Sequence, residues 1–239
     1  MKIALIGYGR MGKAVEEVAL ERDHAICALI TDRDVFYTRK DLGDPDVAIE
    51  FTTPEAAAAN IVTCIEDGIP IVSGTTGWLE KLSWVLEKVA EHKGTFLHTT
   101  NFSPGVNIFK ALNEYLAQLM NGQHSYTPSI HEVHHKHKVD APSGTAITLA
   151  EEMIGKLDAY NEWHKGNEER EGSVPVSSER EDEVPGTHDV IYRSEIDMIE
   201  IRHTAHSRKG FALGAVLAAE YVFGKTGVFT MKDVLKLNG

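Results

Sequence analysis

KIALIGYGRMGKAVEEVALERD, residues 2–23, decides how the first half of the chain is read. Its opening KIALIG is a continuous apolar run ending in glycine, the pattern of a buried parallel strand. Further on, Met11, Val15, Val18 and Ala19 share one face of a helix. Between strand and helix lies GYGRMG, which sets Gly7, Gly9 and Gly12 in the spacing G-x-G-x-x-G. In that context the glycines serve a tight turn, close backbone approach to a pyrophosphate, and packing of helix on strand. The amides at the helix start then face the phosphates. Asp32 closes the next strand 20 residues after Gly12, where an acidic side chain holds an adenosine ribose. Asp32 suits the free 2′-hydroxyl of NAD, whereas the adjacent Arg33 suits the 2′-phosphate of NADP. Both NADH and NADPH therefore stay open as cofactors.

Outward from this unit the alternation continues. AICALI and DVAIEF read as strands, PEAAAANIVTCIEDG as a helix opened by Pro54, then IPIVSG, WLEKLSWVLEKVAEH and TFLH as strand, helix and strand. Strands separated by single helices imply a parallel sheet. Two further loops, SGTTGW and TTNFSPG, fall at strand ends on the same rim. Ligands of open α/β sheets bind there. The expected cofactor set is thus Gly7, Tyr8, Gly9, Arg10, Met11 and Gly12, with Asp32 and Arg33, Gly74, Thr75 and Thr76, and Thr100, Asn101, Phe102 and Ser103.

The second half changes character. GVNIFKALNEYLAQLM reads as a helix leading into a second domain, SIHEVHHKHKV as a strand, and residues 143–158 as a helix. The acidic stretch NEWHKGNEEREGSVPVSSEREDEVPG, residues 161–186, reads as a long exposed loop. HDVIYRSEIDMIEIRHTAHSR alternates with period two and reads as two strands and a turn. GFALGAVLAAEYVFG and MKDVLKL are helical and pack back on the first domain. The expected fold is α/β: a Rossmann-like dinucleotide-binding domain with a parallel sheet, residues 1–103 and 210–239, plus an α+β domain, residues 104–209.

Composition narrows the function. The chain has 239 residues and a net charge of −12, which disfavours a general nucleic-acid surface. Two cysteines, Cys27 and Cys64, stand far apart in apolar runs, so neither a disulfide framework nor a metal signature is expected. The N-terminus is too short and glycine-rich for a signal peptide. The apolar run FALGAVLAAEYVF carries Glu220, so no membrane span and a cytoplasmic location are expected.

Against this acidic background EVHHKHKVDAPSGTA, residues 132–146, gathers three histidines and two lysines within seven residues. Three readings compete. A metal site finds possible ligands in His131, His134, His135 and His137, but Lys136 and Lys138 oppose a cation. A solvated polar strand needs no chemistry at all. An anion site uses every part: only a turn brings His134 near Lys138, because an extended strand separates them by about 13 Å. Pro142 disfavours helix at Ala141. Ser143 then caps a new helix whose Gly144 and Thr145 amides are free for a carboxylate. A histidine, a lysine and such a cradle suit a small acidic metabolite that must also receive a proton.

This stretch resembles the signature of the dihydrodipicolinate reductase family. GYGRMG, EFTTPEA, SGTTGW and NFSPGVN follow in the family's order, and HSRKGFALGAV resembles its closing motif. The resemblance implies reduction of 4-hydroxy-tetrahydrodipicolinate by a nicotinamide dinucleotide in lysine and diaminopimelate biosynthesis. It implies that His134 is the proton donor and Lys138 a second acid or charge partner. His135, Gly144, Thr145 and Arg208 would hold the carboxylates of a small cyclic dicarboxylate, with no metal. It also implies that the second domain binds substrate and assembles a homotetramer. The segment RDVFYTRKDLGDP after Asp32 is shorter than in the family, which leaves the adenine pocket least transferable. Without the resemblance, another Rossmann-type dehydrogenase, such as one for aspartate, or a non-catalytic nicotinamide sensor, shares the glycine loop.

Overall fold

The computed structural model describes residues 1–31, 37–182, 184–207 and 209–237. It divides into two units, Met1–Pro104 with Lys209–Gly239, and Gly105–Arg208.

In the first unit, β1 (Lys2–Ile6) leads into α1 (Arg10–Glu21), and β2 (Ala25–Ile30) returns beside β1. β3 (Val47–Glu50), α2 (Pro54–Glu66), β4 (Ile71–Ser73), α3 (Leu82–His92) and β5 (Thr95–His98) continue the alternation. The sheet runs β11-β5-β4-β3-β1-β2, where β11 (Gly227–Phe229) is a short strand that the alternation did not reveal. Every pairing is parallel, as the buried apolar strands require. The strand order reverses between β1 and β3, so the loops after those strands flank the switch point.

Two apolar layers sandwich this sheet. On one side Ile3, Leu5 and Ile49 pack with Val15 and Val18 of α1 and with α6 (Lys209–Val222). On the other, Ile6 and Ile71 pack with Ile61 and Ile65 of α2, Val85 of α3, and Trp78. Each fully buried aliphatic side chain contributes roughly 1.5–3 kcal/mol. Helix α6 lies close because it is lined by small residues. A Cβ on Gly214 would stand 1.7 Å from the Phe102 carbonyl oxygen.

The second unit carries a five-stranded sheet in the order β10-β9-β6-β8-β7. Its strands are β6 (Thr127–His135), β7 (Glu162–Lys165), β8 (Ser173–Glu181), β9 (Thr187–Arg193) and β10 (Met198–Thr204). Helices α4 (Pro104–Met120) and α5 (Gly144–Ile154) supply Phe109, Ala117, Leu149 and Met153 to the apolar layer, against Ile130, Val174, Val176 and Val190. The stretch 161–186 is therefore not a long loop: it holds β7 and β8, and β8 pairs in parallel with β6. Its local composition misleads because only Ser173–Val176 is fully buried, while the remainder of β8 alternates half-exposed and exposed. The sheet is mixed, antiparallel only along β6-β9-β10. Among the described residues no helix is long and apolar enough to cross a membrane.

Candidate active site

In the first unit the described residues of the expected cofactor set fall at the start of α1 and in the loops after β1, β4 and β5. Gly7 has φ +93°, and a Cβ there would lie 2.0 Å from the Phe51 carbonyl oxygen, so the loops after β1 and β3 touch backbone to backbone. A Cβ on Gly12 would meet the Gly7 carbonyl oxygen at 2.3 Å, and one on Gly74 the Phe51 ring at 2.1 Å. Gly9 differs: a Cβ there meets nothing within 4 Å. Three glycines are thus demanded by packing and the fourth leaves space over the start of α1. Gly9 also stands as N-cap of that helix without a side-chain cap, and the first turn carries no acidic residue. This is the cradle a pyrophosphate fits.

Other expected cofactor residues divide. Arg10, Thr76 and Thr100 are exposed, and Met11 and Asn101 half-buried. The Tyr8 hydroxyl is already donated to Glu16. Thr75 is buried and donates to Glu50 Oε1 at 2.7 Å while accepting from the Thr52 amide at 2.8 Å. Phe102 belongs to the core, its ring 5.8 Å from that of Phe51. Asn101 Oδ1 accepts from the Ser103 amide at 2.9 Å, which shapes the entry to α4. Asp32 and Arg33, and Arg208 of the expected substrate set, lie outside the described residues.

Beneath this rim sits a residue that the sequence reading missed. Glu50, the last residue of β3, is fully buried. Its carboxylate accepts from the Thr52 amide at 2.9 Å, Ser73 Oγ at 2.5 Å, Thr75 Oγ1 at 2.7 Å, and the Thr52 hydroxyl. An acidic residue ending an otherwise apolar buried strand was the available signal.

In the second unit β6 alternates strictly, with Ile130, Glu132 and His134 buried and His131, Val133 and His135 half-buried. Period two sets His134 and Glu132 on the side packed under α5, and His135 on the other. After His135 the chain turns: the Lys138 amide donates to the His135 carbonyl at 3.0 Å. That is the turn an approach of Lys138 to His134 requires. Lys138 Nζ binds both oxygens of Asp140, at 2.8 and 2.9 Å. Lys136 is exposed and pairs with Asp182 at 2.7 Å.

Ser143 caps α5, its Oγ accepting from the Ala146 amide at 3.2 Å. Lys138 first, and more weakly the Gly144 amide at the start of the helix, hold the Asp140 carboxyl below its ordinary range. Gly144 itself is exposed and Thr145 half-buried.

The centre of the cluster is Glu132, fully buried. Its Oε1 accepts from the Ser143 amide at 2.9 Å and from Ser178 Oγ at 2.8 Å, with the Arg180 guanidinium 3.6 Å away. Its Oε2 stands 3.3 Å from His134 Nδ1 and 3.5 Å from His188 Nε2. Strand pairing sets this up: His134 is opposite Arg180 on β8, and Glu132 opposite His188 on β9. The two imidazoles meet edge to face, centroids 5.0 Å apart.

Electrostatics follow from that geometry. Burial pushes the Glu132 carboxyl up, but the donors gathered around it, His188 at 3.5 Å first and then Ser143 and Ser178, outweigh it and hold the group well below the carboxylate range. Burial drives His134 down to about 4; Glu132 opposes the shift, while His188, Lys138 and Arg180 add to it. Among the described residues, Glu132, His134 and His188 are the one group whose donor atoms lie within 4.8 Å of one another, as a metal would need. Arg180 already supplies positive charge at this carboxylate, so the balance a cation would bring is present without one.

Comparison with known proteins now assigns the family. Residues 1–102 match the family model described as dihydrodipicolinate reductase, N-terminus, and residues 105–235 the one described as dihydrodipicolinate reductase, C-terminus. The chain belongs to the dihydrodipicolinate reductase family. A 4-hydroxy-tetrahydrodipicolinate reductase of Christiangramia forsetii is 50% identical over 237 residues, covering 98% of each chain. Another, from Neisseria meningitidis, is 37% identical over 82% of this chain and 75% of its own. Among solved structures, a dipicolinate-bound dihydrodipicolinate reductase from Paenisporosarcina superposes with a TM-score of 0.76, covering 98% of both chains at 21% identity, a likeness of fold. An amine dehydrogenase from Mycobacterium smegmatis shares the layout more loosely, with a TM-score of 0.58 over 98% of this chain and 95% of its own at 11% identity. Membership of the reductase family makes the chain an oxidoreductase with a nicotinamide-dinucleotide domain, and an aspartate dehydrogenase or a non-catalytic sensor is not favoured.

Proposed function

We infer that the chain reduces 4-hydroxy-tetrahydrodipicolinate to tetrahydrodipicolinate in lysine and diaminopimelate biosynthesis. The observation that carries this reading is His134, buried beside Glu132 one turn before Lys138, in a chain that matches the reductase family in both halves. A nicotinamide dinucleotide, when bound, supplies a hydride to the conjugated imine of the ring left after loss of water. Gly7 to Gly12, the rim of Gly74 to Thr76, and Thr100 to Ser103 hold that cofactor. Asp32 suits one ribose form and Arg33 the other, so the cofactor is NADH, NADPH or both.

His134 delivers the proton that balances the hydride. Lys138 is a second acid or charge partner, and His135, the Gly144 and Thr145 amides and Arg208 hold the two carboxylates. Burial keeps His134 uncharged at neutral pH. A dianionic ring arriving beside it favours the protonated imidazole and loads the acid. The positive charge of Lys138 and Arg208 also offsets repulsion between an anionic substrate and a −12 chain.

The exposed apolar residues Met198 and Ile199 on edge strand β10 support assembly as a homotetramer through the second sheet. Two isolated cysteines, neither in a disulfide, support a cytoplasmic setting.

The deciding assay follows oxidation of NADH and of NADPH, side by side, with freshly generated hydroxy-tetrahydrodipicolinate. His134→Gln lowers kcat by about 10²–10⁴-fold with dinucleotide affinity unchanged. Unaltered turnover in that variant removes His134 from the reaction.

A further inference from the structure

We propose that Glu132 is the positioning residue of His134, receiving the proton on Nδ1 so that Nε2 is the nitrogen turned toward substrate. This rests on the reading of His134 as proton donor. Four observations support it. First, the carboxylate is locked: both donors to Oε1, the Ser143 amide at 2.9 Å and Ser178 Oγ at 2.8 Å, come from elements flanking β6. Rotation about the carboxyl group would sacrifice both.

Second, among the described residues, Glu132 Oε2 and His134 Nδ1 are buried atoms with no hydrogen-bond partner. They stand 3.3 Å apart. His188 Nε2, 3.5 Å from the same Oε2, stands further off, so a proton on His134 Nδ1 best satisfies both atoms once the ring turns into line, and leaving either unpaired costs about 1–3 kcal/mol. The donor must be the histidine, because neighbouring donors keep Glu132 ionised.

Third, the residue beside the other nitrogen has no side chain. Gly186 has φ +155°, and a Cβ there would lie 2.9 Å from His134 Nε2. Any larger residue would cap that nitrogen. Fourth, His188 is fixed from two sides, its Nε2 3.5 Å from Glu132 Oε2 and 3.3 Å from Ser143 Oγ. Glu132 thereby ties the proton-bearing strand to the cap of α5, the helix whose first amides belong to the proposed carboxylate cradle. The groups facing His134 are Glu132 from its own strand, Lys138 from the turn, Arg180 from β8 and His188 from β9.

The test is ¹⁵N NMR on the full-length, histidine-labelled protein without ligands, with His134 assigned by its loss in His134→Gln. In the wild type at neutral pH, His134 is expected as the neutral Nδ1–H tautomer. A wild-type Nε2–H tautomer overturns the proposal with no variant needed. Glu132→Gln keeps the oxygen for Ser143 and Ser178 but offers an amide N–H to Nδ1, so the tautomer is expected to switch to Nε2–H. Its kcat is expected to fall about tenfold to hundredfold, the loss usual when the partner orienting a functional histidine is removed, with the dinucleotide KM unmoved. An unchanged tautomer in Glu132→Gln also overturns the proposal. If the tautomer switches but His134→Gln turns over normally, the positioning role stands and the proton-donor reading fails.

Discussion

Asp140 grips the Lys138 ammonium through both carboxylate oxygens and lies against the amide of Gly144. One is the proposed charge partner of the substrate and the other belongs to its proposed carboxylate cradle, so the chain carries its own carboxylate in their midst. A substrate must compete with it. Asp140→Asn removes the competitor's charge, and the substrate KM is expected to fall. A half-exposed ion pair is worth roughly 0.2–1 kcal/mol, which sets the change at about 1.4- to fivefold. Steady-state kinetics at low ionic strength measure it, and a raised KM would mean that Asp140 instead holds Lys138 ready.

The burial of His134 also sets an acid limit to stability. Its ordinary value of 6.5 falls to about 4 in the folded chain. Between these values the unfolded chain binds more protons, so stability declines as pH drops through that window, by at most about 1.4 kcal/mol per pH unit from this group. Glu132, held low, adds a further loss in stronger acid. Urea unfolding of wild type and His134→Gln across this range is expected to give a shallower slope in the variant. It does not flatten fully, because burial also lowers His98 and His203. Parallel curves would contradict burial as the cause.

These predictions mix residues that were legible in the sequence with others that were not. The glycine loop and the strand–helix alternation announced the first unit, because parallel buried strands are continuous apolar runs. His134, Lys138 and Ser143 stood in one short motif. Glu132 was equally readable, since period two sets it on the face of His134. His188 and Arg180 had no such local signal. They reach His134 through the register of β6 with β9 and β8, pairings between segments some fifty residues apart in sequence. Strand β8 was hidden for a similar reason: most of its length is acidic and polar, and its burial exists only once β6 lies beside it.

The glycine loop allows folding and binding to be separated. Gly12→Ala forces a methyl to within 2.3 Å of the Gly7 carbonyl oxygen, so a lowered melting temperature is expected together with weak cofactor binding. Gly9→Ala meets no protein atom within 4 Å. Its melting temperature is expected to change little, while dinucleotide affinity falls because the methyl fills the space a pyrophosphate needs. Calorimetric titration with NADH and NADPH beside thermal unfolding reads both. Undiminished affinity in Gly9→Ala would place the phosphates elsewhere.

Glu50 predicts a different coupling. Its carboxylate gathers Thr52, Ser73 and Thr75, which belong to β4 and to the loops following β3 and β4. A chain of hydrogen bonds extends the network outward, from Thr52 to Asn60 at 3.3 Å and on to Tyr37 at 3.0 Å. Glu50→Ala strands several buried donors at once, at about 1–3 kcal/mol for each left unpaired. Glu50→Gln keeps the volume and one acceptor oxygen, and the hydroxyls of Ser73 and Thr75 are able to rotate and accept from its amide. The alanine variant is therefore expected to lose more melting temperature than the glutamine variant. Both are expected to raise the KM for dinucleotide, since Thr52 and Thr75 stand on the cofactor rim, and to leave the NMR tautomer of His134 in the second unit unchanged. Equal stability of the two variants would show that the charge, rather than the donor count, holds these loops.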